Sequence, residues 1–130
     1  MQKDGVVVDT SVWIQFFNDP DSPEKHEIVR LLRNNKIFLC GMELSEILQG
    51  TKSDKEREEI EETMTVLPFL PNNLTTWSKI GSVSSTLMRK GITIPSTDLF
   101  IAVSAMINNC RVYTLDRHFE RIPNLSRYVP

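Results

Sequence analysis

The sequence predicts an α/β protein, with a central parallel sheet and helices on both faces. Three observations carry that prediction. Val6-Val7-Val8, Ile37-Phe38-Leu39-Cys40 and Val112-Tyr113-Thr114-Leu115 are continuous apolar runs, as expected of strands covered on both sides. Helical patterns, not tight hairpin turns, separate them, so the natural connections are right-handed crossovers. Finally, the first and last of these runs each lead into an aspartate, Asp9 and Asp116. In such sheets the ligand crevice lies outside the carboxyl ends of the strands.

Taken in order, Val6–Val8 is the first strand, and Asp9 stands at its end. Thr10 or Ser11 can cap the short helix that follows, with Val12, Trp13, Ile14, Phe16 and Phe17 as its apolar residues. Ser22-Pro23 opens a second helix as N-cap and first helical residue, with Ile28, Val29, Leu31 and Leu32 facing inward and His26 outward. Asn34-Asn35 ends it, before the second strand. Gly41 to Gly50 reads as a helix closed by its terminal glycine. Glu43 and Glu46, three apart, share one side of it. Ser53-Asp54-Lys55-Glu56 has capping-box form, and its acidic helix carries only a thin stripe of Ile60 and Met64. The prolines of Val66–Pro71 allow at most an edge strand.

Asn73 caps the next helix, whose expected inward stripe is Leu74, Trp77, Ile80, Val83, Leu87 and Met88, with Gly91 as its stop. Pro95 forces an extended approach to Thr97, the expected N-cap, and Asp98, in the first turn where the helix dipole favours a carboxylate. Leu99–Ile107 is almost wholly apolar, so this helix is buried on most of its circumference. Asn109 suits the left-handed position after a helix. The last strand, a turn anchored by Phe119 and Ile122, and an expected final strand at Tyr128-Val129 follow.

At 130 residues the chain suits one domain over residues 1–130. No basic region followed by an apolar run stands at the N-terminus, and the longest apolar run is far too short to span a bilayer. Cys40 and Cys110 sit in apolar surroundings and read as reduced core thiols. These features together indicate a cytoplasmic protein. The net charge of −2 argues against a simple cationic nucleic-acid binder. Its distribution is uneven, however: Glu43–Glu62 holds eight acids and three bases, whereas the rest of the chain from Thr63 holds seven bases and three acids. Two of those three are Asp98 and Asp116. With them neutralised by a cation, the C-terminal half shows phosphates a positive surface.

Under this topology Asp9, Glu46, Asp98 and Asp116 converge at one end of the sheet. Neighbouring carboxylates repel, and a divalent ion removes the difficulty. Oxygen-only ligands suit Mg2+ or Mn2+, which can activate water for attack at phosphorus. There is no Gly-rich phosphate loop, no Ser-His-Asp set and no zinc-type Cys/His spacing.

The segments V-V-V-D-T-S-V-W-I, E-I-L-Q-G, P-S-T-D-L-F-I-A-V-S-A and Y-T-L-D-R-H-F-E-R-I, in that order and spacing, resemble the four acidic motifs of PIN-domain ribonucleases, and more narrowly of VapC-type toxins. The resemblance runs over essentially the whole chain. It implies a three-layer α/β/α fold with about four or five strands. It further implies a Mg2+- or Mn2+-dependent endoribonuclease acting on RNA, commonly a homodimer, held inactive by a small VapB-type antitoxin. By position, Asp9, Glu46, Asp98 and Asp116 match the family's metal-site quartet. Thr114 matches a supporting hydroxyl, Thr10 and Ser11 flank the first acid, Arg117 is a candidate phosphate contact, and His118 a candidate general base. Glu43 is at most auxiliary, and the role of Thr97 is open. Two other readings stand beside this one: a catalytically silent RNA-binding scaffold, and a phosphoacceptor signalling domain. The second lacks the lysine such a domain places at a late strand end.

Overall fold

The computed structural model describes residues 4–130. Three strands, β1 (Val6–Val8), β2 (Ile37–Phe38) and β3 (Arg111–Tyr113), form a parallel sheet in the order β2-β1-β3. Six helices surround it: α1 (Thr10–Asn18), α2 (Pro23–Arg33), α3 (Gly41–Gln49), α4 (Asp54–Met64), α5 (Leu74–Arg89) and α6 (Ser96–Ile107). A short 3-10 turn over Arg117–Arg121 follows β3. Among the described residues, no helix is long and apolar enough to cross a membrane.

The central strand explains the layering. Val6 and Val8 point into one core with Trp13, Ile28, Leu31 and Met64, while Val7 points into the other with Leu99, Ile101, Val112 and Phe119. Alternation across a strand thus loads both faces of the sheet from three consecutive valines. Residues Leu99–Ala105 of α6 are all buried, as their composition requires. At the ends of the helices, Asn35, Asn109 and Gly91 take positive φ, where a small or amide side chain is tolerated.

The sheet has three strands, not the four or five expected. The missing edges are single bridges: Leu39 pairs with Phe69, and Val112 with Arg127. Pro68 and Pro71, lacking N–H groups, flank the first of these, so the ladder cannot extend there. At the other edge Tyr128 donates to the Val112 carbonyl, but Val129, expected in a strand, stays outside it. The expected runs also shorten, from Ile37–Cys40 to Ile37–Phe38 and from Val112–Leu115 to Arg111–Tyr113.

Two caps differ from expectation. Asp9 itself, not Thr10 or Ser11, caps α1. Pro95, not Thr97, occupies the N-cap position of α6, its carbonyl accepting from Leu99 N–H, and Asp98 keeps its place in the first turn. The stripe of α5 is also narrower. Ile80, Val83 and Leu87 pack inward, whereas Leu74, Trp77 and Met88 are 84%, 55% and 62% exposed. Met88 follows Leu87 by one residue, which turns it about 100° around the helix and off the buried face.

Candidate active site

β1 connects to β2 on one side, and the chain then crosses back to place β3 on the other. The strand order therefore reverses at β1, and the crevice between the carboxyl ends of β1 and β3 is where such sheets bind ligands. Asp9 enters this crevice directly from β1, its N–H donating to the Tyr113 carbonyl of β3.

Asp9 is only 3% exposed. Its Oδ2 accepts from Ser11 Oγ at 2.7 Å, from Thr114 Oγ1 at 2.9 Å and from Ser11 N–H at 3.4 Å. Ser11 Oγ and Thr114 Oγ1 in turn accept from the backbone N–H groups of Leu115 and Asp116, at 3.1 and 2.9 Å. Two hydroxyls therefore fasten the end of β1 to the end of β3 while holding one carboxylate still. Among the described residues no hydrogen bond reaches Asp9 Oδ1.

Asp98 arrives from the first turn of α6, and Asp116 from the end of β3. Asp98 Oδ2 and Asp116 Oδ1 each lie 3.2 Å from Nδ1 of His118. Each of the three residues offers an atom to a group in which all such atoms lie within 4.8 Å of one another. Burial pushes the Asp98 carboxyl above its ordinary pKa, the His118 hydrogen bond opposes that, and the charges of Asp9 and Asp116 add to the rise. Asp9 is thus close enough to be felt at Asp98, although it stands outside the tight group.

Glu46 lies further out, on α3, where its Oε1 accepts from Thr10 Oγ1 at 2.7 Å. That bond couples it to the residue next to Asp9. Arg117, by contrast, does not reach the acids: its side chain is 90% exposed and pairs with Glu120 at 3.1 Å. Thr97 provides no cap and makes no hydrogen bond to the acids among the described residues.

Glu43 is the residue that sequence reasoning undervalued. It is fully buried, accepting from Cys40 N–H at 2.9 Å and Cys40 Sγ at 2.7 Å, and so closes a capping box at the start of α3. The signal was present as Cys-x-x-Glu, with a thiol in the place where a capping box usually carries a hydroxyl. Burial raises its pKa to about 8, with the Asp9 charge a lesser contribution. Its folded pKa exceeds the unfolded value, so this group's stabilisation is fully present below about pH 4.5 and is lost as pH rises through about 8. In chelator-treated protein, urea denaturation should show stability falling between pH 5 and pH 9 by at least about 2 kcal/mol, with the slope much reduced in Glu43→Gln. An equal slope in the variant would remove Glu43 as the cause.

The family model of the PIN domain matches residues 6–125. Ribonuclease VapC2 from Rickettsia felis is 25% identical over 124 residues, covering 92% of each chain. Ribonuclease VapC11 from Mycobacterium tuberculosis is 28% identical over 128 residues, covering 93% of this chain and 96% of its own. The fold is shared with VapBC2 of Rickettsia felis, solved bound to a DNA fragment from the promoter, at a TM-score of 0.82, 23% identity and coverage of 95% and 96%. It is shared also with DNA-bound VapBC from Salmonella typhimurium, at a TM-score of 0.81, 23% identity and the same coverage. The matched span runs from the first residue of β1 past the turn that carries His118, so it takes in every acid of the crevice, and the chain belongs to the PIN domain family.

Proposed function

We propose that residues 1–130 form one PIN domain acting as a Mg2+- or Mn2+-dependent endoribonuclease, the toxin of a type II toxin–antitoxin pair. The observation that carries this reading is the crevice itself. Asp98 and Asp116 meet there, and beside them a nearly inaccessible Asp9 carboxylate has hydroxyl donors and, among the described residues, no ion pair. Relatives named as VapC ribonucleases, matching over more than nine-tenths of both chains, support the same assignment.

The donor set fits a hard divalent cation: carboxylate oxygens held close together, with Asp9 Oδ1 reached by no donor among the described residues. Asp9, Asp98 and Asp116 would hold the ion, with Glu46 at its margin. When bound, it supplies charge neutralisation at the phosphate and lowers the pKa of a water. The chain's own residues do the positioning. Ser11 and Thr114 hold the Asp9 carboxylate, Thr114 Oγ1 also accepts the Asp116 N–H, and Thr10 orients Glu46. Water attacks phosphorus and the 3′ oxygen leaves with a proton, giving a 5′-phosphate and a 3′-hydroxyl. Bases of the C-terminal half supply attraction for the RNA backbone. The partners in this reading are RNA, a small VapB-type antitoxin and a second copy of the chain, in the cytoplasm.

Purified protein should cleave RNA with Mg2+ or Mn2+, and EDTA should stop cleavage until the ion is restored in excess. Cleavage that persists in EDTA would overturn the metal-dependent mechanism. RNA binding without cleavage under any divalent ion would favour the silent scaffold.

A further inference from the structure

The acid crevice contains a nitrogen. His118 lies in the 3-10 turn after β3, its backbone N–H donating to Asp116 Oδ1 at 2.9 Å. Its neighbour Phe119 is buried and anchors the turn to the core. The His118 side chain is about half exposed, so packing does not drive it inward. Even so, Nδ1 lies 3.2 Å from an oxygen of Asp98, which comes from a different element, and 3.2 Å from an oxygen of Asp116.

Those two spacings have a simple reading in coordination geometry. Two atoms bound to one ion at right angles, each about 2.1 Å from it, lie about 3 Å apart. Nitrogen and oxygen here are separated by nearly that edge. With its proton on Nδ1 the ring donates to these carboxylates, whereas the tautomer with its proton on Nε2 turns a lone pair toward them, and a cation among the three atoms favours that second form. The protein therefore presents a nitrogen together with its oxygens.

The geometry points to His118 as a nitrogen ligand of the divalent ion, forming with Asp98 and Asp116 a mixed donor set that favours first-row transition ions such as Mn2+ over Mg2+. This rests on the metal-dependent reading above, and deepens it. Mg2+ prefers oxygen ligands and keeps its waters, so it gains little from an imidazole, whereas transition ions accept nitrogen readily. His118 is in this way a determinant of which ion the site takes. The sequence offers His118 only as a candidate general base. The contact with Asp98 across the crevice gives it a different task.

Pulsed electron paramagnetic resonance on the RNA-free protein loaded with Mn2+ provides a test independent of activity. Wild type should show 14N modulation from a coordinated imidazole. His26→Ala, which alters the exposed histidine on α2, should keep that modulation, and His118→Ala should lose it. By calorimetric titration, His118→Ala should weaken Mn2+ binding about tenfold or more, and Mg2+ binding less than about threefold. Mn2+ bound without nitrogen modulation, or modulation that survives in His118→Ala, would overturn the role of His118 while leaving the metal site standing. Equal weakening of both ions would overturn the preference. No binding of Mn2+ to wild type would overturn this inference and the metal-dependent nuclease together. Because the chain holds two histidines, modulation that persists in His26→Ala assigns the nitrogen to His118 whether or not His118→Ala folds.

Discussion

Asp9→Asn should lower RNA cleavage by a factor of at least about 1,000, with the fold intact. The loss follows from removing one charge from the site proposed to hold a divalent ion, since the electrostatic stabilisation such an ion gives a reacting phosphate is several kcal/mol. The fold should survive because all the hydrogen bonds found at the Asp9 side chain converge on one oxygen, Oδ2. The amide oxygen of asparagine can accept from the same Ser11 and Thr114 hydroxyls and keep the cap of α1. Rates measured with a labelled RNA under saturating Mn2+, beside urea denaturation of both proteins, separate the two effects. Undiminished cleavage by the variant would remove Asp9 from the chemistry. A collapse of stability by several kcal/mol would instead make its role architectural.

Ile101→Ala should destabilise the protein by about 3 kcal/mol, within the range found when a fully buried aliphatic side chain is cut to a methyl group. Ile101 has no exposed surface and lies within the seven consecutive buried residues of α6. That helix packs against α5 on one side and contributes to the core beneath β1 and β3 on the other. A void there has neighbours on every side and little freedom to close. Equilibrium urea unfolding reads the difference directly, and a change under about 1 kcal/mol would mean that the packing around α6 closes over the void. Asp98 stands one turn from this position, so the variant should also bind metal more weakly than its folded fraction accounts for.

Much of the site could be read from the chain because strand-end acids announce themselves. Val-Val-Val-Asp and Tyr-Thr-Leu-Asp each end an apolar run on a charge, which leaves the aspartate at the rim of the sheet wherever the helices fall. The helix-borne Asp98 was legible for a related reason, as an acid in the first turn of an otherwise apolar helix. The rest depended on packing that periodicity does not encode. Glu43 and Glu46 look alike in the sequence, three residues apart on a polar-rich helix, yet one is sealed under α3 by Cys40 and the other bonds Thr10 near the crevice. His118 reaches Asp98 because a 3-10 turn, tighter than an α-helix, swings it back over β3. The width of the α5 stripe and the number of strands failed for a common reason: apolar residues and prolines near an edge show what can be buried or paired, not how much partner surface exists.

The seam between β1 and β3 also has a bearing on how the protein is made. Thr114 and Asp9 are 105 residues apart in the chain, and both neighbours of the central strand join it from later in the sequence. Translation delivers residues in order, at about 5–20 per second, and contacts this distant form only after the far partner has emerged. A polypeptide still growing on the ribosome therefore carries Asp9 without Asp116 or His118 to meet it. The carboxylates of the crevice come together only after β3 and the turn behind it have left the ribosome, and until then Asp9 is an acid without its neighbours.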